Sequence, residues 1–184
     1  MRIFYALEFS RDTKEKIDFY AQEIYSDIKL GMRTDLDNYH ITLHFVGEIK
    51  AEEVQNHIKL LEDISKKNCE FELELKGIGF FKKKSRYIVW IGVKSVEETL
   101  YKISAEIKRE FSKEENTYIP HITIARNVEL LNTEEEIALK GSGFLIKEKI
   151  ETISLMESTR IDGKLVYRSI AKKNLRNKDI EYDR

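Results

Sequence analysis

Tyr39-His40-Ile41-Thr42-Leu43 and Pro120-His121-Ile122-Thr123-Ile124 carry one phrase twice: His, apolar, Thr, apolar. Both copies lie in apolar, β-branched runs, which predict strands. Side chains alternate faces along a strand, so His40 and Thr42 project together while Ile41 and Leu43 enter the core. His121 and Thr123 share a face in the same way, opposite Ile122 and Ile124. One imidazole and one hydroxyl side by side are unremarkable. Two matching copies in a chain with only four histidines point to a shared site. A neutral His can take a proton from an attacking water while a protonated His gives one to the leaving oxygen. The hydroxyls can donate to non-bridging phosphate oxygens, where negative charge concentrates. The pair thus fits metal-free opening of a phosphodiester.

Working outward, Arg2 to Phe9 reads as a strand and Ser10 to Lys29 as a helix. Ile17, Tyr20, Ile24 and Ile28 form the helix stripe, with Ser10 or Asp12 as N-cap and Gly31 beyond its end. Tyr39 to Val46 is a strand and Ala51 to Lys66 a helix. Phe71, Leu73 and Leu75 share one face of a third strand, and the nearly all-apolar Tyr87 to Val93 predicts a central strand. Between them, Gly77 and Gly79 lead into the basic hairpin loop Lys82-Lys83-Lys84-Ser85-Arg86. A helix from Val96 to Phe111, the strand His121 to Arg126 and a short acidic helix over Thr133 to Lys140 follow. The strands Ile150 to Ile161 and Lys164 to Ala171 flank the turn Asp162-Gly163. A helix precedes each His-containing strand, a faint repeat that two α+β lobes around one cleft would produce. Residues 1–175 are read as one bilobal domain and 176–184 as a charged tail, with charge accumulating from Lys172 onward.

Composition narrows the function. The 184 residues are 41% hydrophobic and 35% charged, which excludes a chain disordered throughout. Thirty-two Lys and Arg against 33 Asp and Glu leave a formal charge of −1. Any nucleic-acid contact must come from a local basic patch, because the whole molecule offers no positive field. The single Cys69 excludes an intramolecular disulfide and a cysteine-rich zinc site, and reads as a small core or edge residue. His40 and His44 lie about 13 Å apart on a strand, too far to share an ion, so no metal and no cofactor is expected. The apolar stretch at Met1–Glu8 is too short for a signal peptide, and no later run has the length of a membrane span. A cytoplasmic protein is expected.

These residues and their context resemble the 2H phosphoesterases, in particular the bacterial and archaeal RNA 2′,3′-cyclic phosphodiesterases of the LigT or 2′-5′ RNA ligase type. The resemblance spans most of the chain: Arg2 to Leu7, Asn38 to Glu48, Gly77-Ile78-Gly79-Phe80, Val89 to Val93, Pro120 to Arg126, Leu155-Met156-Glu157-Ser158 and Tyr167. It implies an α+β, bilobal fold in which two antiparallel sheets line a central cleft and helices cover the outside. By the family pattern, His40 matches the proton donor, His121 the proton acceptor, and Thr42 and Thr123 the phosphate-binding hydroxyls. The implied substrate is an RNA end carrying a 2′,3′-cyclic phosphate, opened to a 2′-phosphate, with 2′-5′ joining as the reverse reaction. A monomer without metal is expected. Small cyclic nucleotides or ADP-ribose cyclic phosphate are an alternative substrate class, and a non-catalytic RNA-end binding module is a third reading. His44 stands where a Lys is common, and Phe81 where a Pro often follows the loop phenylalanine.

Further substrate contacts are weighed from the residues. His44 shares the face of His40 and is a candidate cleft residue, whereas His57 reads as a surface residue. Tyr39 and Phe80 are candidates to stack a base; Trp90 could do so too, but in its buried strand it reads as core. Lys83 and Arg86 either steer an RNA backbone or sit on a solvated loop tip. Arg126 is either a sheet-edge ion pair or, after a bulge, a phosphate contact.

Overall fold

Switches between the two-residue period of strands and the 3.6-residue period of helices divide the chain into alternating elements. The computed structural model describes residues 1–95, 97–111 and 117–178. Along it run β1 (Arg2–Glu8), α1 (Arg11–Tyr25), β2 (Ile28–Arg33), β3 (His40–Glu48), α2 (Val54–Lys67), β4 (Phe71–Lys83) and β5 (Arg86–Ser95). Then come α3 (Thr99–Arg109), β6 (His121–Leu130), α4 (Glu134–Lys140), β7 (Leu145–Ile150), β8 (Thr152–Ile161) and β9 (Lys164–Asn174). Four strands form one antiparallel sheet in the order β3-β1-β8-β9, and five form another in the order β2-β6-β5-β4-β7. Each sheet holds one His-x-Thr strand. Helices α2 and α3 pack on the first sheet, and α1 and α4 on the second. The α+β, two-sheet expectation holds, with β5 central as its apolar run predicts.

The local chemistry explains the boundaries. The Ser10 hydroxyl accepts from the Thr13 backbone N–H and caps α1, and Thr133 with Glu136 forms a capping box on α4. Asp162 and Gly163 both adopt positive φ, 50° and 80°, as the tight β8–β9 turn requires. Three expectations need correction. Ile28 and Lys29 do not end α1 but open β2, and Gly31 lies within that strand. β7 is an additional strand. The chain stays packed past residue 175, because Arg176 donates its N–H to the Asn68 carbonyl and accepts from the Glu70 N–H. The charge-rich stretch from Lys172 is therefore strand through Asn174, and 179–184 lie outside the described residues, as does Val96.

What holds the two His-x-Thr strands in mutual register is a pair of tyrosine struts. The Tyr118 hydroxyl donates to the Thr42 carbonyl at 3.0 Å. On the other side the Tyr25 hydroxyl donates to the Ile124 carbonyl at 3.0 Å and lies 3.1 Å from the Tyr39 hydroxyl, which donates to Asp18. Tyr39 is 1% exposed; it is core and not a base-stacking surface, a correction to the expectation above. Burial drives the ionisation of Tyr39 and Tyr118 far upward, so both stay neutral donors. Tyr118→Phe should cost about 1 kcal/mol and lower Tm by about 2–4 °C, read by calorimetry. Its effect on turnover of a cyclic phosphate should exceed that stability loss, because Thr42 would lose its fixed position.

Candidate active site

Both histidines are oriented by the same device. The Nδ1 of His40 lies 2.7 Å from the Asn38 carbonyl, and the Nδ1 of His121 lies 2.8 Å from the Ile119 carbonyl. A carbonyl only accepts, so each Nδ1 carries the proton. Each neutral ring is thereby left with its lone pair on Nε2. The His40 Nε2 meets the Thr42 hydroxyl at 3.0 Å. Asn38 does further work: its Nδ2 donates to the Leu165 carbonyl and its Oδ1 accepts from the Tyr167 N–H. These bonds fasten the entry of β3 to β9. Nothing in residue types marked Asn38 as functional; its role needs the fold.

The His40 ring packs beside Phe4 at 5.0 Å and meets the Tyr167 ring nearly edge-on at 4.9 Å. It lines a cavity of about 320 Å³ together with Asn38, Thr123, Arg126 and Tyr167, and an adjoining space with Thr42 and Phe45. Across the sheets, β3 and β6 approach each other. The His121 ring sits against Phe81, edge-on at 4.9 Å, and Trp90 at 5.8 Å. Gly79 makes this wall possible, since a Cβ there would fall 2.2 Å from the Trp90 ring. Trp90 is thus a cleft-side residue and not core.

Several expected contacts move because of β-bulges, each of which turns the following side chains to the other face. In β3 the pairing slips between Thr42 and His44. His44 therefore turns away and stacks on Phe111 at 5.1 Å, and Phe45 takes its place beside Phe4. In β4 a slip between Leu75 and Ile78, with Gly77 at φ 71°, points Phe80 inward against Tyr87 and Phe81 to His121. In β6 a slip between Thr123 and Ala125 brings Arg126 onto the cleft face, where its Nη2 donates to the Thr123 hydroxyl at 3.3 Å. His57 is also corrected: it is 8% exposed, and its Nδ1 lies 2.9 Å from the Tyr5 hydroxyl.

The electrostatics follow. Five cations (Arg2, Arg33, Arg126, Arg160, Lys164) and one carboxylate, Asp35, line the cavities around His40. Near the β4–β5 hairpin, Lys83, Lys84 and Arg86 line another cavity that also reaches Arg126; Arg86 is paired there with Glu129 at 2.9 Å. Burial first, then the Arg126 charge, holds His40 down at about 4, with Lys14 and His121 adding to it. Burial and Arg126 likewise lower His121. Among the described residues, no three His, Cys, Asp or Glu side chains come together in a way that could hold a metal ion.

The sequence and the fold have counterparts. A protein named RNA 2′,3′-cyclic phosphodiesterase from Methanocaldococcus jannaschii is 35% identical over 133 residues, covering 68% of this chain and 71% of that protein. The chain belongs to the LigT-like phosphoesterases. A family model described as LigT like Phosphoesterase matches residues 7–90, a stretch that contains His40 and Thr42 and ends before His121. A protein of the same name from Aquifex aeolicus is 32% identical over 124 residues, covering 62% of this chain and 66% of that one. In fold, Escherichia coli LigT complexed with 3′-AMP matches this LigT-like chain with a TM-score of 0.78 at 24% identity, covering 95% of this chain and 97% of that one.

Arg126→Met removes one of the charges that depress both rings while keeping the chain length. Both histidines should then titrate closer to the ordinary imidazole value near 6.5. Titration of the ring Cε1 protons by NMR measures this directly.

Proposed function

We propose that this LigT-like phosphoesterase opens 2′,3′-cyclic phosphate ends of RNA to 2′-phosphomonoesters, with His40 as proton donor and His121 as proton acceptor. The observation that carries the reading is the shared orientation of the two rings. Each Nδ1 is tied to the carbonyl two residues earlier, so each Nε2 is the atom free to exchange a proton. Water losing a proton to the His121 Nε2 attacks phosphorus. The 3′ oxygen departs opposite and takes a proton from the His40 Nε2. Thr42, Thr123 and Arg126 face the non-bridging oxygens and stabilise the charge that develops there. A 5′-hydroxyl in place of water would attack phosphorus in the same way, with the 3′ oxygen leaving, and join RNA through a 2′-5′ bond, the reverse of cleaving such a bond. The names of the relatives from M. jannaschii and A. aeolicus support the substrate class. So does the excess of cations around His40 in a chain of net charge −1, which would make affinity fall with salt.

A cyclic-phosphate-ended oligonucleotide should be turned over in the presence of EDTA, and phosphorus NMR should find the phosphate on the 2′ oxygen. His40→Ala and His121→Ala should each lose turnover nearly completely while remaining folded by circular dichroism. The pH profile of kcat/KM reports the free enzyme. It should be bell-shaped with both limbs on the acid side of 6.5, because both histidines are depressed. Loss of activity in chelator, or unchanged turnover in His121→Ala, contradicts the reading.

A further inference from the structure

The two threonine hydroxyls occupy equivalent places in the repeated phrase, yet their hydrogen bonds differ. Thr123 Oγ1 accepts from the Arg126 guanidinium, which donates and never accepts. The Thr123 proton is therefore free to point at a bound anion. Thr42 Oγ1 instead meets the Nε2 of His40 at 3.0 Å. The His40 Nδ1 already donates to the Asn38 carbonyl, so in the neutral ring Nε2 can only accept. The single proton of Thr42 is then spent on His40. In the protonated ring both nitrogens carry protons, Nε2 donates to Thr42, and the Thr42 proton is released.

We propose that the two hydroxyls are unequal anion donors: Thr123 offers its proton at every pH, whereas Thr42 turns its proton to a bound anion only while the His40 ring is protonated. Resting on the phosphate-site reading above, this ties the chemical step to product release. Protonated His40 gives its Nε2 proton to the departing oxygen, and the Nε2 lone pair so regenerated accepts the Thr42 O–H again. The same event withdraws one hydrogen bond from the product phosphate, so the donor that helped to bind the substrate lets go of the product.

The groups around His40 leave this device intact. From α1, Lys14 contributes positive charge, and from β6, Arg126 and His121 do the same. From β9, Tyr167 presents its ring edge. Glu8 lies across from His40 in the β1–β3 pairing, but its carboxylate is taken by the Ser154 hydroxyl at 2.5 Å and by Lys172 at 3.2 Å. Asp35 is the one carboxylate that lines the cavity with His40, against five cations there and in the adjoining space, and with His40 at about 4 the ring is neutral near pH 7 before an anion arrives. An arriving anion supplies the opposite charge that protonates it.

Inorganic sulfate tests the idea, because it keeps a constant double negative charge over the range used. Its affinity is measured by NMR shift titration at pH 4.5 and pH 8 in wild type, Thr42→Val, Thr42→Ser and Thr123→Val, with chemical-shift dispersion reporting folding. Thr123→Val should weaken sulfate about tenfold at both pH values, the scale of one hydrogen bond to a charged group. Thr42→Val should weaken it about tenfold at pH 4.5 and less than about twofold at pH 8, and Thr42→Ser should restore the wild-type pattern. An equal loss at both pH values in Thr42→Val overturns this inference while leaving the phosphate site standing. Sulfate that shifts neither His40 nor Thr123 in wild type overturns the phosphate-site reading itself.

Discussion

The whole arrangement depends on a short hydrogen bond made twice: an imidazole Nδ1 donating to the carbonyl two residues earlier in its own chain. Each bond is worth only about 1 kcal/mol to stability, yet it fixes which nitrogen faces the cleft. The geometry around it is built from main-chain atoms, so it survives changes of neighbouring side chain. Asn38 and the tyrosine struts then fix the two strands that carry the rings. Position is supplied by backbone, and chemistry by the exposed nitrogen.

Charge is arranged on the same principle. The protein as a whole is close to neutral, but carboxylates are consumed elsewhere: Glu129 by Lys29 and Arg86, Asp27 by Lys140, Glu8 by Lys172. The cleft keeps its cations largely uncountered. The cost falls on the histidines, whose charged forms are disfavoured by burial and by Arg126. On the proposed reading a phosphate diester would relieve that cost on arrival, since its charge offsets the cations and favours the protonated ring.

Much of this was legible in residue types and periods. The His-x-Thr strands, the central apolar strand β5, the capped helices and the Asp162-Gly163 turn all follow from local chemistry, which acts over a few residues. The edge strands β2 and β7 did not, because Ile28 continues the apolar period of α1 and because Leu145–Ile150 is short. At the site, the misplaced residues share one cause. Alternation puts His44 and Phe80 on the cleft face, and a bulge of one residue in β3 and in β4 inverts both assignments; for Arg126 the bulge, one of its two readings, is what occurs in β6. A bulge is set by the partner strand, so single-strand periodicity cannot carry it; Gly77 in β4 and Asn127 in β6, both at positive φ, are the local signs. Phe81, one of the positions where the chain departs from the family pattern, is the residue that ends up against His121. Tyr39 and His57 were misread for a different reason: each is an amphipathic ring whose polar atom found a buried partner.

The orientation of the two rings can be observed without any substrate. Long-range proton–nitrogen correlation spectra at pH 8 distinguish the tautomers of neutral imidazole. The structure predicts that His40 and His121 both carry their proton on Nδ1, with Nε2 bare. A proton on Nε2 in either ring would contradict the account, because the nitrogen facing the cleft would then be the wrong one for the proton transfers assigned to it.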